Sequence, residues 1–312
     1  PEQLRGENIN GAINLLLLGM DERANSNALI RADTIIIVHV PKTHDQVYMI
    51  SLPRDLEVDI PDFPQTNFKG FRTKINAAFA FGARTNDGKP DNTTVGRKRG
   101  TSLTMQTINN LVPGGLKFNG AAIINFAGFK SILNAIGGVR MCVDVETRSV
   151  HYDKNNKYHT NEVPYYNRKI YKVGCRDMEG WEALDFARQR HFDNGDYTRQ
   201  RHQQQLLMAM FKKLTSKGVL TNPSALSQLQ KTAGDLLTLD LGKTEILDWV
   251  TTLGGIGSDK IIMIKTNAGR TNPIGNGNEG LTDESMELLK AIHDDTVFDF
   301  LLKHPDFVAK EK

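Results

Sequence analysis

The chain has 312 residues, 39 % hydrophobic and 24 % charged, with 27 glycines and 11 prolines. That length leaves room for one or two sizeable cores, and that composition excludes miniature scaffolds, collagen-like repeats and low-complexity disorder. The formal net charge of +3, from 39 basic and 36 acidic side chains, excludes histone-like polycation behaviour, so any polyanion must be met by local arginine clusters.

In chain order, Asn14–Gly19 and Thr34–Val40 are short runs, apolar on both faces and bounded by polar loops, as interior strands of a covered sheet are. Gln46–Leu52 supplies a third strand. The longest apolar run, Ile13–Gly19, is far shorter than the ~20 residues that cross a bilayer. Ala121–Asn125 and Val139–Val145 are predicted strands separated by a helix that ends at Gly137-Gly138, a strand-helix-strand unit. Helical patterns follow at Glu179–Arg188, Thr198–Ser216, Lys243–Leu253 and Thr282–His293, with an apolar strand at Lys260–Ile264. Asn86–Gly100, Val150–Lys169 and Asn267–Gly280 read as loops, none long enough to demand two cores. The expected architecture is therefore α/β, a single domain over residues 8–312 in which 220–312 packs on the same domain.

Cys142 and Cys175 lack C-x-x-C spacing and are too few for a structural zinc site. They read equally as a disulfide, which would contribute roughly 3–4 kcal/mol and imply an oxidising compartment, or as two buried thiols. The eight histidines show no metal-binding spacing, His39 and His44 read as structural, and Trp181 and Trp249 as core anchors. A start at Pro1 rather than Met leads us to expect an upstream targeting segment, membrane anchor or tag.

Asp21 ends the first predicted strand and Asp33 precedes the second, so neighbouring strands would bring both carboxylates to one sheet edge, a pair suited to Mg²⁺. Alone, such aspartates are ordinary turn and capping residues. What sets them apart is the company of arginine. Arg23 and Arg31 share the intervening loop, Arg54 follows the third strand in Ser51-Leu-Pro-Arg54-Asp55, and Lys74 opens Lys74-Ile-Asn76-Ala-Ala-Phe79. The densest cluster is Arg188-Gln-Arg190-His191, then Asp193 and Asp196, then Arg199-Gln-Arg201-His202-Gln203-Gln204-Gln205. Arg188 and Arg190 are too close to share a helix face, so a turn must follow the helix for both to meet one ligand. Guanidinium groups grip phosphate oxygens bidentately, and several with a metal would neutralise a pyrophosphate.

These segments together resemble the LytR-CpsA-Psr family of bacterial cell-envelope proteins. The matching stretches are Gly19-Met-Asp21-Glu-Arg23, Arg31-Ala-Asp33-Thr34, Ser51-Leu-Pro-Arg54-Asp55, Lys74-Ile-Asn76-Ala-Ala-Phe-Ala-Phe-Gly82, Asn125-Phe-Ala-Gly128-Phe with Gly137-Gly138-Val139, and Ala187-Arg188-Gln-Arg190 through Gln204. They occur in the family's order. Asp295–Val308, with Lys303-His-Pro, loosely resembles actinobacterial members. Many relatives carry Arg where this chain has His202 and Gly where it has Thr198, which leaves the role of Arg201 open.

The resemblance implies a central mixed sheet covered by helices on both faces, with the family's motifs in 14–211, and a membrane-anchored enzyme facing out of the cytoplasm. It would move a glycopolymer (teichoic acid, arabinogalactan or capsule) from a polyprenyl-pyrophosphate carrier to peptidoglycan through a phosphodiester. By position, Asp21 and Asp33 would hold Mg²⁺, with Mn²⁺ as a substitute. Arg31, Arg54, Arg188 and Arg190 would bind the pyrophosphate. Arg23, Asp55, Lys74, Asn76, Arg199 and Gln203 would support substrate binding. Phosphoryl transfer depends on positioning and charge stabilisation rather than a protein nucleophile, which suits this set. Asp33 and Asp55 are the candidate bases, and neither is assigned. A hydrophobic tunnel for the prenyl tail would draw on Leu103–Val112 and Ala121–Leu133, segments that read more simply as core. Two other readings remain: a lipid-pyrophosphate pyrophosphatase, with water in place of the acceptor, and a non-catalytic regulator that binds envelope polyanions. No helix-turn-helix signal supports a nucleic-acid partner.

Overall fold

The computed structural model describes residues 9–20, 30–189, 196–219, 222–234, 237–242 and 244–309. The elements run β1 (Ile13–Met20), β2 (Ala32–Val40), β3 (Val47–Leu52), β4 (Glu57–Ile60), β5 (Phe71–Lys74), α1 (Asn76–Gly82), α2 (Thr94–Leu111), β6 (Gly120–Asn125) and α3 (Phe126–Ala135). Then come β7 (Val139–Val143), β8 (Thr147–Asp153), β9 (Arg168–Tyr171), β10 (Gly174–Met178), α4 (Gly180–Arg188), α5 (Asp196–Ser216), α6 (Pro223–Ala233) and β11 (Leu237–Asp240). The chain closes with α7 (Ile246–Leu253), β12 (Ile261–Lys265), β13 (Pro273–Gly275), β14 (Asn278–Glu279), α8 (Asp283–His293) and α9 (Val297–Lys303).

A six-stranded mixed sheet in the order β11-β6-β1-β2-β3-β12 forms the centre. β1 pairs antiparallel with β2 and parallel with β6, and β3 pairs antiparallel with β2 and parallel with β12. Period-2 alternation divides the strands between two cores. Leu16, Leu18, Ile35, Ile37, Ile50 and Leu52 face a cluster with Phe79, Leu103, Leu288 and Phe300. Ile13, Ile36, Val38, Val47 and Met49 face Met208 and Trp249. Burial on both faces is why these strands read as unbroken apolar runs. Leu103, Ile108 and Ile123 are buried in the first of these cores, and Leu133 in a separate cluster with Phe129, Met141 and Phe186.

Three features differ from the sequence reading. The stretch read as a loop over 86–100 contains the start of α2, whose first two turns bury Gly96, Arg97, Gly100 and Thr101, with Leu103 the first large apolar residue on the buried face and Thr104, Thr107 and Ile108 beyond it. Those threonines return their hydroxyls to the carbonyls four residues back, at 2.8–2.9 Å. Gly100 lets α1 approach closely, since a Cβ there would lie 2.8 Å from the Phe79 carbonyl. Second, β7 does not extend the central sheet. It pairs with β10, and its alternating burial, with Arg140 exposed, marks a strand covered on one face only. Third, the loop read over 150–169 has strand at its two ends: 150–153 belong to β8 and 168–169 to β9, which pair, and 154–167 between them is loop with a short 3-10 turn. The turn after α3 follows the glycine reading: Gly137 and Gly138 have φ of +80° and +73°, and the Gly138 amide caps the Leu133 carbonyl at 2.9 Å. Cys142 and Cys175 are directly opposed on β7 and β10 and are joined as a disulfide. Trp249 is buried, whereas Trp181 is only half-buried and donates to the Glu179 carboxylate at 2.7 Å.

Candidate functional site

Strand polarity places Met20, Asp33, Arg54, Asn125 and Lys265 at one edge of the sheet. β1, β3, β6 and β12 end there and β2 begins there. The Pro53 carbonyl accepts from the Leu56 amide at 3.1 Å, turning the chain after β3 so that Arg54 and Asp55 project over that edge. Arg54 Nη1 donates to Asp33 Oδ1 at 2.8 Å, and its Nε lies 3.5 Å from Asp55 Oδ2. Lys74, at the end of β5, reaches Asp55 Oδ1 at 3.0 Å. Two acids and two bases therefore alternate across 41 positions of sequence, each partly shielded from solvent. Asn76 is buried, and its amide donates to the Arg54 carbonyl at 3.2 Å, so α1 starts from the arginine it supports.

Helix α5 completes the edge. It buries Arg199, Gln200, His202 and Gln204, an expensive set unless each polar group finds a partner. Arg199 Nη2 lies 3.4 Å from the Asp33 carbonyl, and Gln203 Oε1 accepts from Thr34 Oγ1 at 2.9 Å. Gln204 Nε2 donates to Ser51 Oγ at 2.7 Å and to the Ile264 carbonyl at 3.1 Å. The helix is thus bonded to the tips of β2, β3 and β12. The close approach of β1 to β2 needs Gly19, because a Cβ there would sit 2.9 Å from Thr34 Cβ.

Arg188, at the C-terminal end of α4, lies with its guanidinium carbon 3.9 Å from the centre of the Phe126 ring, beyond the tip of β6. Arg31 is exposed and makes no ion pair or hydrogen bond among the described residues. Asp21, Arg23 and Arg190 lie outside the described residues.

Several contributors carried no sequence signal. Asp144, just past β7, is paired by Arg201 and accepts from His202 Nε2 at 2.8 Å. Burial would raise the Asp144 pKa, but the His202 hydrogen bond and the charges of His202 and Arg201 outweigh it and hold the carboxyl at about 2. Glu279 in β14 donates its amide to the Asp55 carbonyl at 3.0 Å and accepts from the Tyr197 hydroxyl at 2.9 Å. The segment read as a plain loop over 267–280 therefore braces the site. A cavity of about 1140 Å³ runs along α5, lined by Asp144, Arg201 and Gln204 and by Met208, Met263 and Val308. It exceeds the roughly 300–1,000 Å³ usual for small-molecule pockets.

Mg²⁺ takes one or two carboxylates and completes its shell with water and substrate phosphate. Asp33 at the rim is a donor of that kind. No group of three or more metal-ligating side chains gathers among the described residues, so these residues fit an ion with a largely non-protein shell better than a closed cage.

Fold and site define a mixed-sheet α/β protein with an arginine-rich cluster interleaved with carboxylates at one sheet edge. The chain belongs to the LytR_cpsA_psr family, whose sequence model matches residues 2–292. It is 30 % identical over 230 residues to the polyisoprenyl-teichoic acid–peptidoglycan teichoic acid transferase TagU of Bacillus cereus, covering 73 % of this chain and 61 % of that protein. It is 27 % identical over 248 residues to the transferase of the same description, TagV, of Bacillus subtilis, covering 79 % and 54 %. The chain thus spans about three fifths of the length of these relatives. The fold matches the crystal structure of Bacillus subtilis TagV, with a TM-score of 0.64, 21 % identity and coverage of 92 % of this chain and 98 % of that one. It also matches TagT bound to LI-WTA, with a TM-score of 0.64, 21 % identity and coverage of 92 % and 91 %.

Proposed function

We propose that the protein transfers a glycopolymer from a polyprenyl-pyrophosphate carrier to a hydroxyl of peptidoglycan. The observation that carries this reading is the convergence of Asp33, Arg54, Asp55, Lys74 and Arg199 on one sheet edge, with α5 leading from it into the cavity. Family membership and the names of the relatives support it.

In this reading Arg54, Lys74 and Arg199, with Arg188 and Arg190, bind the pyrophosphate oxygens and hold the phosphorus bearing the glycan in line with the acceptor. The acceptor oxygen forms the new O–P bond as the anhydride P–O bond breaks. Polyprenyl phosphate departs, and the hydroxyl proton passes to a carboxylate or to water. The arginines oppose the charge that grows on the departing phosphate. Asp33, with Asp21, would hold Mg²⁺, which when bound supplies further charge neutralisation at the phosphates. The prenyl tail would lie in the cavity along α5, against Met208, Met263 and Val308. We place the site outside the cytoplasm, a location that the Cys142–Cys175 disulfide supports. No helix among the described residues is long and apolar enough to cross a membrane.

The test supplies a labelled lipid-linked glycan and peptidoglycan and follows glycan on the polymer, polyprenyl phosphate and free glycan phosphate in parallel. Transfer yields the first two. Glycan phosphate in place of polymer-bound glycan makes the protein a pyrophosphatase. Asp33→Ala should abolish Mg²⁺-dependent turnover while the circular dichroism of the fold is kept; normal turnover in that variant removes Asp33 from the site.

A further inference from the structure

The hairpin of β8 and β9 exposes aromatic rings that the proposed chemistry does not use. Tyr158 is 53 %, Tyr165 65 % and Tyr166 87 % exposed, a concentration that is unusual for surface built only to be solvated. The rings are ordered by contact. Tyr152 packs on Trp181 with centroids 4.6 Å apart, and on Tyr158 at 5.4 Å. Arg148 lies 4.7 Å over the Tyr165 ring. Around them stand polar side chains, including Asn155, Asn156, His159 and Asn161 together with Lys154 and Lys157 at the hairpin's far end.

The hairpin is also joined to the arginine-bearing end of α4. Gln189, between Arg188 and Arg190, is 4 % exposed. Its Oε1 accepts from the Val150 amide at 3.1 Å, and its Nε2 donates to the Asp185 carbonyl at 2.8 Å and carboxylate at 3.0 Å. Asp185 in turn accepts from the Tyr171 hydroxyl of β9 at 2.7 Å. Tyr152 lies within the field of the Arg188 charge. The strand that carries Tyr152 is therefore bonded directly to the residue that follows Arg188.

We propose that Tyr152, Tyr158 and Trp181, extended by Tyr165 and Tyr166, form a binding platform for the acceptor glycan strand, an assignment that rests on the transfer reading above. Pyranose rings present flat C–H faces and a rim of hydroxyls, which match rigid amphipathic tyrosine and tryptophan faces bordered by amide and imidazole groups. The arginines beside the rings are already engaged, Arg148 with Glu146 and Arg168 with Glu162, so ring faces, hydroxyls and amides are what this part of the surface offers a ligand. Lys154 and Lys157 are exposed at its far end, and capture by anionic lipid is therefore one of the outcomes the test separates.

The probe is a soluble, peptide-free tetrasaccharide of alternating N-acetylglucosamine and N-acetylmuramic acid, titrated by calorimetry with Trp181 fluorescence as a second readout. We expect saturable binding that weakens about tenfold or more in Tyr158→Ala/Tyr166→Ala, as loss of two aromatic contacts should produce. Tyr158→Phe, which keeps the ring face, should bind within about twofold of the parent. Equal affinity in parent and double variant, or no binding at all, overturns the platform. So does tyrosine-dependent capture by phosphatidylglycerol vesicles, or tyrosine-dependent self-association, without glycan binding. The titration needs neither donor nor turnover. Tyrosine-dependent glycan binding in a protein that fails to transfer supports the platform and strikes only the transfer reading; unimpaired transfer by a protein that does not bind the glycan does the reverse.

Discussion

At the scale of single residues, the site is held by charges that correct one another. Asp33 is shielded by its partner Arg54 and by the sheet edge, with 12 % of its side chain exposed, so removing the guanidinium takes a charged partner from a partly desolvated carboxylate. We expect Arg54→Ala to weaken binding of a polyprenyl-pyrophosphate donor by about 1.5–3 kcal/mol, the usual scale of a hydrogen bond to a charged group, with Arg54→Lys intermediate because it cannot reproduce a two-pronged contact. A binding titration with a non-transferable donor checks this. Asp144 makes a pH prediction. Its folded-state pKa, about 2, lies below the ordinary 3.8, so between those values the unfolded chain binds more protons than the folded one. The stabilisation is fully present above about pH 4 and is lost as pH falls toward 2. Urea midpoints taken across that range should fall more steeply for the parent than for Asp144→Asn.

At the scale of elements, the structure is pinned where strands hand over to helices. Asn125 ends β6 and caps α3, its Oδ1 accepting from the Gly128 amide at 2.9 Å. It is 4 % exposed, so Asn125→Ala loses the cap with no water to replace it. A destabilisation of about 1–2 kcal/mol is expected, read as a lower urea midpoint with unchanged slope. Because α3 carries Phe126, against which Arg188 lies, the same variant should also weaken donor binding. Element by element, legibility followed the density of large apolar side chains. β1, β2 and β3 stood out because both faces are covered. The start of α2 did not, because its inward face is glycine and threonine packed against α1, and small-residue packing leaves no hydrophobic period to read.

At the scale of the whole molecule, the polar helix α5 ties the satellite β7–β10 pair to the central sheet, and a disulfide locks the two strands of that pair to each other. Cys142 and Cys175 lie 33 positions apart, and in the chain-entropy model such a crosslink contributes roughly 3–4 kcal/mol. Reduction, or Cys142→Ser/Cys175→Ser, should lower unfolding stability by an amount of that order, and intact mass should rise by about two hydrogens on reduction. An unchanged mass would mean two thiols and would remove the support for an oxidising location. The hairpin wall formed by these strands also lines the cavity, so cavity occupancy and disulfide state should be coupled, with a lipid-tailed ligand raising the melting temperature more in the oxidised protein.

The sequence by itself determined the α/β class, the central strands and the family, because periodic burial and the spacing of Asp, Arg and Gln motifs are local properties of the chain. It also singled out Asp33, Arg54, Asp55 and Lys74, though not the order in which they pair. Only the tertiary structure decided that β7 leaves the main sheet for β10, that Asp144 anchors Arg201 and His202, and that β14 braces Asp55. Each of these is a contact between residues that are distant in sequence, or a choice of strand partner. Such contacts are set by which buried polar groups and half-covered faces remain to be satisfied once the sheet has formed, and no local pattern encodes that remainder.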